Sequence, residues 1–426
     1  MEIVDLRHRA WKLDSRLRYL SRRGDILTDE YEEAVKNIIK QVRERGDEAL
    51  IELTLKFDRV ELQPDQLEVP YEELERAYDE IEDSVREALE VAEDRIRTFH
   101  EKQKENSFFK VEKGIILGQK VTPLEKVGVY VPGGKAAYPS TVLMNTVPAI
   151  VAGVEEVIMV SPNPNKYTLA SAYIAGVSRV FRVGGAQAVT ALAYGTETIP
   201  KVDKIVGPGN IYVALAKKLL FGVVDIDMIA GPSEVLVIAD EEADPLWVSA
   251  DLLSQAEHDE LAASILITPS EELAYAVKEK LYDLLHSSQR KEIAQKSIER
   301  FGTAFIVEDL EHACEVANFI APEHLEVITK DPWALLPSIK HAGAIFLGGY
   351  TTEPLGDYIL GPNHTLPTGG TARFFSPLGV YDFLKRSSVL YVSEEGFSHV
   401  APFAEAIAIA EGLEAHAKAI RIRLGR

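Results

Sequence analysis

The chain has 426 residues, 46% of them hydrophobic, and its 67 Asp and Glu against 46 Lys and Arg give a formal net charge of −21. That length is more than one ordinary core accommodates and predicts two or more domains, while the acidic surplus argues against nucleic acid or an anionic membrane as partner, because phosphate binding needs a positive face. The single cysteine, Cys314, excludes disulfides within the chain and Cys-rich zinc sites. No apolar run reaches the ~20 residues of a spanning helix. The start has no apolar core of a secretory signal, so a cytoplasmic protein is expected.

Residues 1–23 carry seven Lys and Arg against three acids and read as a solvated basic arm, able to pack on an acidic neighbouring subunit. From 28 to about 100 the pattern is helical. Val35, Ile38, Ile39 and Val42 recur at i, i+3, i+4, i+7, with Gly46 as a natural stop. The charged run 71–102 reads as one long helix with a solvent-facing acidic surface. Near Thr122 the rhythm changes to short β-branched runs at 127–131, 157–160, 180–183, 204–206, 235–239 and 265–268. Helical stretches at 141–152, 186–194 and 212–221 separate the earlier ones, and 245–261 also reads helical. A charged helical stretch ends near Arg300, a strand-like run follows at 304–307, and 309–317 is helical around Cys314. The Ala-rich tail 400–422 reads as a single amphipathic helix. Strand, Gly or Pro turn, helix, repeated, predicts βαβ units and parallel sheets. The expected boundaries are an arm over 1–25, a first α/β domain from 26–123 with 238–375, a second over 124–237 inserted as a unit, and a helical tail over 376–426.

Four glycine-rich turns follow strand-like runs: Gly133-Gly134, Gly184-Gly185, Gly207-Pro208-Gly209-Asn210 and Gly231-Pro232-Ser233. Singly each is a plain turn. Four in one domain favour an anionic cofactor at the carboxyl ends of parallel strands, although the G-x-G-x-x-G fingerprint is missing. Gln255 and His258, three apart on a helical stretch, turn by roughly 300° and share a face, which suits two ligands of one metal ion. A solitary His on a helix is more commonly a surface or core residue, and the pair lacks the specificity of H-E-x-x-H. Glu323-His324 follows Pro322 at a turn or first helical position. The two are able to work as an acid/base pair near neutral pH, or as a capping Glu and an exposed His. Asp357 and His364 lie in an irregular Gly/Pro/Thr-rich stretch, 348–370, and are candidate ligands or substrate contacts. Glu411 and His416, five apart, are not stacked on one helix face and read as surface groups.

Read together, VPGGKAAYPSTVLMNTVPAIVAGV (131–154), VGGAQAVTALAYGTETIPKVDKIVGPGN (183–210), DMIAGPSEVLVIAD (227–240), SQAEH (254–258), APEHLE (321–326) and GDYILGPNHTLPT (356–368) closely resemble the histidinol dehydrogenase family, from about residue 26 to the C-terminus. The resemblance implies two Rossmann-like α/β domains with parallel-rich sheets, plus a helical N-terminal arm and a helical C-terminal tail. The first would hold metal and catalytic residues, the second NAD. It implies zinc-dependent oxidation of L-histidinol through L-histidinaldehyde to L-histidine with two NAD, the last two steps of histidine biosynthesis. Zinc, one per subunit, would be held by Gln255, His258, Asp357 and His416, all of which would also face the substrate. Glu323 and His324 would be the acid/base pair, His324 also touching substrate. Ser233, Glu411 and His364 would be further substrate contacts, and Tyr130, Gln187 and Asn210 would contact NAD. A homodimer is implied, with the tail crossing so that each active site is shared.

The chemistry of the residues agrees. Gln, two His and one Asp leave a zinc ion net positive and able to take substrate nitrogens, which suits a template more than a Lewis acid. The second oxidation needs a tetrahedral adduct of the aldehyde. Cys314 lies in a helical stretch without a Gly-rich loop, so water activated by Glu323, giving a gem-diol, is the expected route. A metal-dependent hydrolase would turn over without NAD, and a non-catalytic binding relative would be expected to lose part of the ligand set.

Overall fold

A computed structural model describes residues 1–8, 10–23, 29–133 and 138–425. Gly134, half of one glycine pair singled out above, lies outside them. Among the described residues the architecture is mixed α/β, with two six-stranded sheets and a smaller antiparallel one. The first sheet runs, in spatial order, Glu2–Asp5, Thr303–Ile306, Ala263–Thr268, Glu234–Ala239, His324–Ile328, Ala344–Leu347, and every pairing is parallel. Every residue of Glu234–Ala239 and Ala263–Thr268 is buried, as in a parallel sheet covered by helices on both faces. The second sheet runs Glu68–Val69, Arg179–Phe181, Glu156–Val160, Lys126–Tyr130, Lys204–Val206, Asp225–Ile226. It is parallel except for its first strand. Phe108–Glu112, Ile115–Pro123 and Leu384–Val392 make the antiparallel third sheet.

The β-branched runs of the sequence become strands, with ends shifted by a residue or two. Several helical expectations differ: the stretch 245–261 is helical only over Pro245–Ala256, and the stretch 348–370 holds a short helix, Glu353–Tyr358. The helix Asp29–Asp58 does not stop at Gly46 but kinks there, at φ 53°, and continues. The run 71–102 divides into Tyr71–Glu80 and Asp83–Glu101, with Ile81 extended and buried between them. The tail is two helices, Glu394–Ala410 and Glu414–Arg423, separated at Gly412, whose φ of 73° only glycine adopts without strain.

The grouping of residues differs from the expected boundaries as well. The N-terminal segment is no solvated arm: Glu2–Asp5 is an edge strand of the first sheet, and Leu6, Trp11, Leu17 and Leu20 share a core with Leu236 and Phe305. Residues 29–101 instead cover the second sheet. Val35, Leu50 and Leu53 pack with Ile158, Phe181 and Val189, while Leu74, Leu89 and Ile96 pack with Val127, Val147 and Val157. A parallel sheet has two apolar faces to bury. The periodicity of these helices shows which face is apolar, but nothing local selects which sheet receives it. Among the described residues no helix is long and apolar enough to cross a membrane.

Candidate active site

The polar centre of the molecule lies where the strands Glu234–Ala239 and His324–Ile328 begin. The helix Leu310–Ile320 is ended by Ala321 in the left-handed conformation, φ 57°, and Pro322 follows. The chain then enters a strand, with the backbone oxygens of Pro322 and Glu323 accepting from Gly343 and Ala344 at 2.9 and 2.8 Å. Of the two positions expected, turn or first helical residue, the helical one does not hold: Glu323 lies at a bend and His324 begins a strand. Strand alternation sets His324 and Glu326 on one face. The short helix Glu353–Tyr358 stacks Glu353 under Asp357 at i, i+4. On Pro245–Ala256 the same spacing stacks Asp251 under Gln255. His258 lies just beyond that helix, its N–H donating to the Gln255 carbonyl at 3.2 Å, so the pair clusters at a helix end and not along one face.

These elements bring a dense set of ionisable groups together. His324 Nε2 stands 3.4 Å from Asp357 Oδ1, and its Nδ1 is 3.7 Å from Glu323 Oε2 and 3.3 Å from the Glu234 carbonyl. Glu323 Oε2 accepts the Glu234 N–H at 2.9 Å. Glu326 Oε1 accepts the Glu353 N–H at 2.8 Å, and Thr352 Oγ1 donates to Asp251 Oδ1 at 2.9 Å. Only one orientation of the buried Gln255 amide pairs donor with acceptor. Assigned in that orientation, its nitrogen faces Glu353, within 2.9 Å of Oε1 and 3.2 Å of Oε2. Behind the cluster Glu234 takes the Arg23 guanidinium at 3.0 Å and the Gly369 N–H at 3.1 Å.

Burial dominates the electrostatics. It pushes the Glu323 carboxyl up to about 7, against the pull of His324. It pushes Glu353 up to about 8 and Glu326, beside Asp251, up to about 9. For His324 burial alone would lower proton affinity, but Glu353, Glu323 and Asp357 together hold it well above the usual imidazole value. Desolvation depresses His364 and, by its crowding near Asp357 and His324, His258, although the His258 residue itself retains an exposed surface. His324, Glu353 and Asp357 offer ligand atoms within 4.8 Å of one another, and His324 Nε2 is buried without a good hydrogen-bond partner. Such a gathering of buried nitrogen and carboxylate oxygen fits a divalent cation of zinc type. Beside Asp357 opens a cavity of about 360 Å³, reaching Gln103, Phe346, Asn363 and Tyr381.

The second sheet offers a separate ligand position. Chain order departs in opposite directions from Lys126–Tyr130, so the crevice lies at the carboxyl ends of this strand and Lys204–Val206. Tyr130 ends the first, its buried hydroxyl accepting the Gly185 N–H at 3.0 Å, and burial lifts its pKa to about 12. Gln187 is buried on Gly185–Tyr194, and Asn210 caps Ile211–Leu220 by accepting from Tyr212 and Val213 at 3.0 and 3.2 Å. A side chain at Gly207, φ 110°, would collide with the Tyr130 carbonyl. The two halves meet through 363–365. Asn363 Nδ2 donates to the Met144 carbonyl at 2.5 Å, Thr365 bonds Asn145 at 3.2 Å, and His364 lies 3.5 Å from Thr141 and 3.0 Å from the Asp357 carbonyl.

The histidinol dehydrogenase family model matches residues 21–424. A histidinol dehydrogenase of Aquifex aeolicus (strain VF5) is 77% identical over 423 residues, 99% of each chain, and one of Pseudomonas savastanoi pv. phaseolicola is 56% identical over 402 residues, 93% of this chain and 90% of that one. The chain belongs to the histidinol dehydrogenase family. The crystal structure of histidinol dehydrogenase from Elizabethkingia anophelis superposes with a TM-score of 0.93 at 35% identity, covering 100% of this chain and 98% of that one. Membership makes the chain an oxidoreductase of histidine biosynthesis, acting in its last two steps.

Within a histidinol dehydrogenase the expected residues divide by place. Glu323, His324, His258, Asp357 and His364 converge, and Gln255 joins them through Glu353. Ser233 immediately precedes Glu234, whose N–H holds Glu323. Glu411 and His416 are exposed on the tail, and neither side chain bonds to the cluster among the described residues. Residues that sequence reasoning passed over are Arg23, Glu234, Asp251, Glu326 and Glu353. A signal existed for four of them. Asp251 and Glu353 stand one helical turn before candidate ligands, Glu326 alternates with His324, and Glu234 follows Ser233. Arg23 gave none.

Proposed function

We propose that the buried cluster oxidises L-histidinol through L-histidinaldehyde to L-histidine, with zinc at the first sheet and two NAD used in turn at the second. The observation that carries this is the enclosed Glu323–His324–Asp357 group, facing the second sheet through His364 and Thr141. Zinc held by Gln255, His258, Asp357 and the His416 of a second copy supplies a positive template for the substrate's imidazole and amine nitrogens. Neutral His324 takes the hydroxyl proton as the carbinol hydrogen leaves with its bonding pair for the nicotinamide, and the carboxylates of Glu353, Glu323 and Asp357 stabilise the imidazolium that forms. Glu323, whose carboxyl burial places near 7, then takes a proton from water attacking the aldehyde. The proton held by His324 passes to the former aldehyde oxygen to complete the gem-diol, which then gives up the second hydride to NAD and two protons, leaving the carboxylate. Ser233 and Glu411 complete the substrate's surroundings, with His364 between the two halves, and Tyr130, Gln187 and Asn210 receive the dinucleotide at the switch point of the second sheet.

We infer a homodimer, and the tail supports it. Its two helices and the third sheet display Phe403 (72% exposed), Ile407 (61%) and Leu390 (71%), apolar surface that a second copy would cover while bringing His416 and Glu411 to its neighbour's cluster. The proposed setting is the cytoplasm. The test is NADH formation from L-histidinol, expected at two per substrate and abolished by a chelator until zinc is returned. Turnover without NAD, or full activity after proven metal removal, refutes the assignment.

A further inference from the structure

We propose that Glu353 is a positioning residue for the metal: it aims the Gln255 amide so that the oxygen, the only end able to ligate, faces the ion. This rests on Gln255 being a zinc ligand. The two ends of a glutamine amide have nearly the same shape, and rotation about its last bond is soft. A buried Gln is therefore as ready to present nitrogen as oxygen unless a neighbour chooses. Gln255 is wholly buried, and the neighbour is a carboxylate, with oxygens at 2.9 and 3.2 Å from the amide nitrogen. With Glu353 ionised, the state a bound cation favours, the opposite orientation would set oxygen against oxygen.

Glu353 is itself held. Its N–H donates to Glu326 at 2.8 Å, and the preceding Thr352 donates to Asp251 at 2.9 Å, one turn before Gln255 on the same helix. The helices Pro245–Ala256 and Glu353–Tyr358 are thus stitched at two adjacent points. Glu353 links Gln255 to Asp357, which lies one turn further along its own helix. Glu353 also belongs to the trio with His324 and Asp357 whose ligand atoms lie within 4.8 Å of one another, so the test must separate its action through Gln255 from direct ligation.

The test is a double-mutant cycle on the zinc-loaded full-length protein, reading zinc affinity by competition with a chromogenic chelator and site geometry by the visible spectrum of the cobalt-substituted form. Glu353→Gln, which can offer either end to position 255, should weaken zinc binding ~10- to 100-fold, the usual cost of losing an outer-shell partner. Gln255→Glu puts oxygen at both ends of the ligand, so no aiming is needed. In that background Glu353→Gln should cost no affinity and restore a single cobalt spectrum. The same loss in both backgrounds would mean that Glu353 ligates directly or merely supports the fold, and overturns the proposal. So would unchanged affinity in Glu353→Gln while Gln255→Ala weakens binding. If Gln255→Ala also binds zinc as before, the ligand assignment itself falls and takes the proposal with it.

Discussion

Arg23→Met tests whether the N-terminal segment is structural. The Arg23 and Glu234 side chains are 2% and 1% exposed and 3.0 Å apart, and the guanidinium also bonds the Leu261 carbonyl and lies over the Phe301 ring at 4.8 Å. Methionine keeps most of the volume but leaves the Glu234 carboxylate buried with the Gly369 N–H as its remaining side-chain contact. Removing one partner of a buried pair typically costs ~3–5 kcal/mol, because an uncompensated charge stays behind. With m near ~3 kcal/mol/M in urea, the midpoint should fall by roughly 1–2 M. Trp11, Trp247 and Trp333 all belong to the portion of the chain around the first sheet, so their fluorescence reports the affected unit. Burial raises the Glu234 pKa, opposed first by Arg23 and then by local hydrogen bonds and the nearby His324. In the variant the folded value therefore lies still further above the unfolded ~4.3. A group raised on folding favours the native state below its unfolded pKa and loses that advantage as pH rises toward the folded one. The deficit should accordingly be larger at pH 8 than at pH 5, and Arg23→Met/Glu234→Gln should recover most of it. A midpoint within ~0.3 M of the parent at pH 8, or a deficit that grows toward acid, refutes the reasoning.

Aldehyde oxidation needs the Glu323 carboxylate, so kcat/KM for L-histidinaldehyde should climb with pH up to about 7 and level off above it; a flat profile from pH 5.5 to 8 contradicts the water-activating role. Glu323→Gln should slow this step by ~10²–10⁴-fold and the alcohol step less, and equal losses would dissolve the division of labour. Cys314 is buried and its thiol is pushed up to about 11 by burial, so the native protein should resist alkylation at pH 8 and Cys314→Ala should turn over normally. If the active site is shared, mixing inactive His416→Ala with inactive His258→Ala and allowing subunit exchange should restore part of the activity, because each heterodimer holds one intact site; proven heterodimers with no activity would exclude sharing.

The sequence by itself determined the local elements and the family. Runs such as 204–206 and 235–239 carry their strand character in β-branched side chains, and Asp309 and Ser270 mark helix starts through the bonds their side chains make to the first turn. The strings around Gln255, Glu323 and Asp357 likewise named the reaction before any contact was known. Only the tertiary structure decided which sheet each helix covers, that Glu2–Asp5 closes an edge of the first sheet, and that Glu323-His324 opens a strand. It alone revealed the partners Arg23, Glu234 and Glu353. Periodicity and capping act within a few residues along the chain, and so are written locally. A buried charge finds its compensation across more than two hundred residues, as Arg23 does with Glu234, and the energy of that pairing exists only once both have left water.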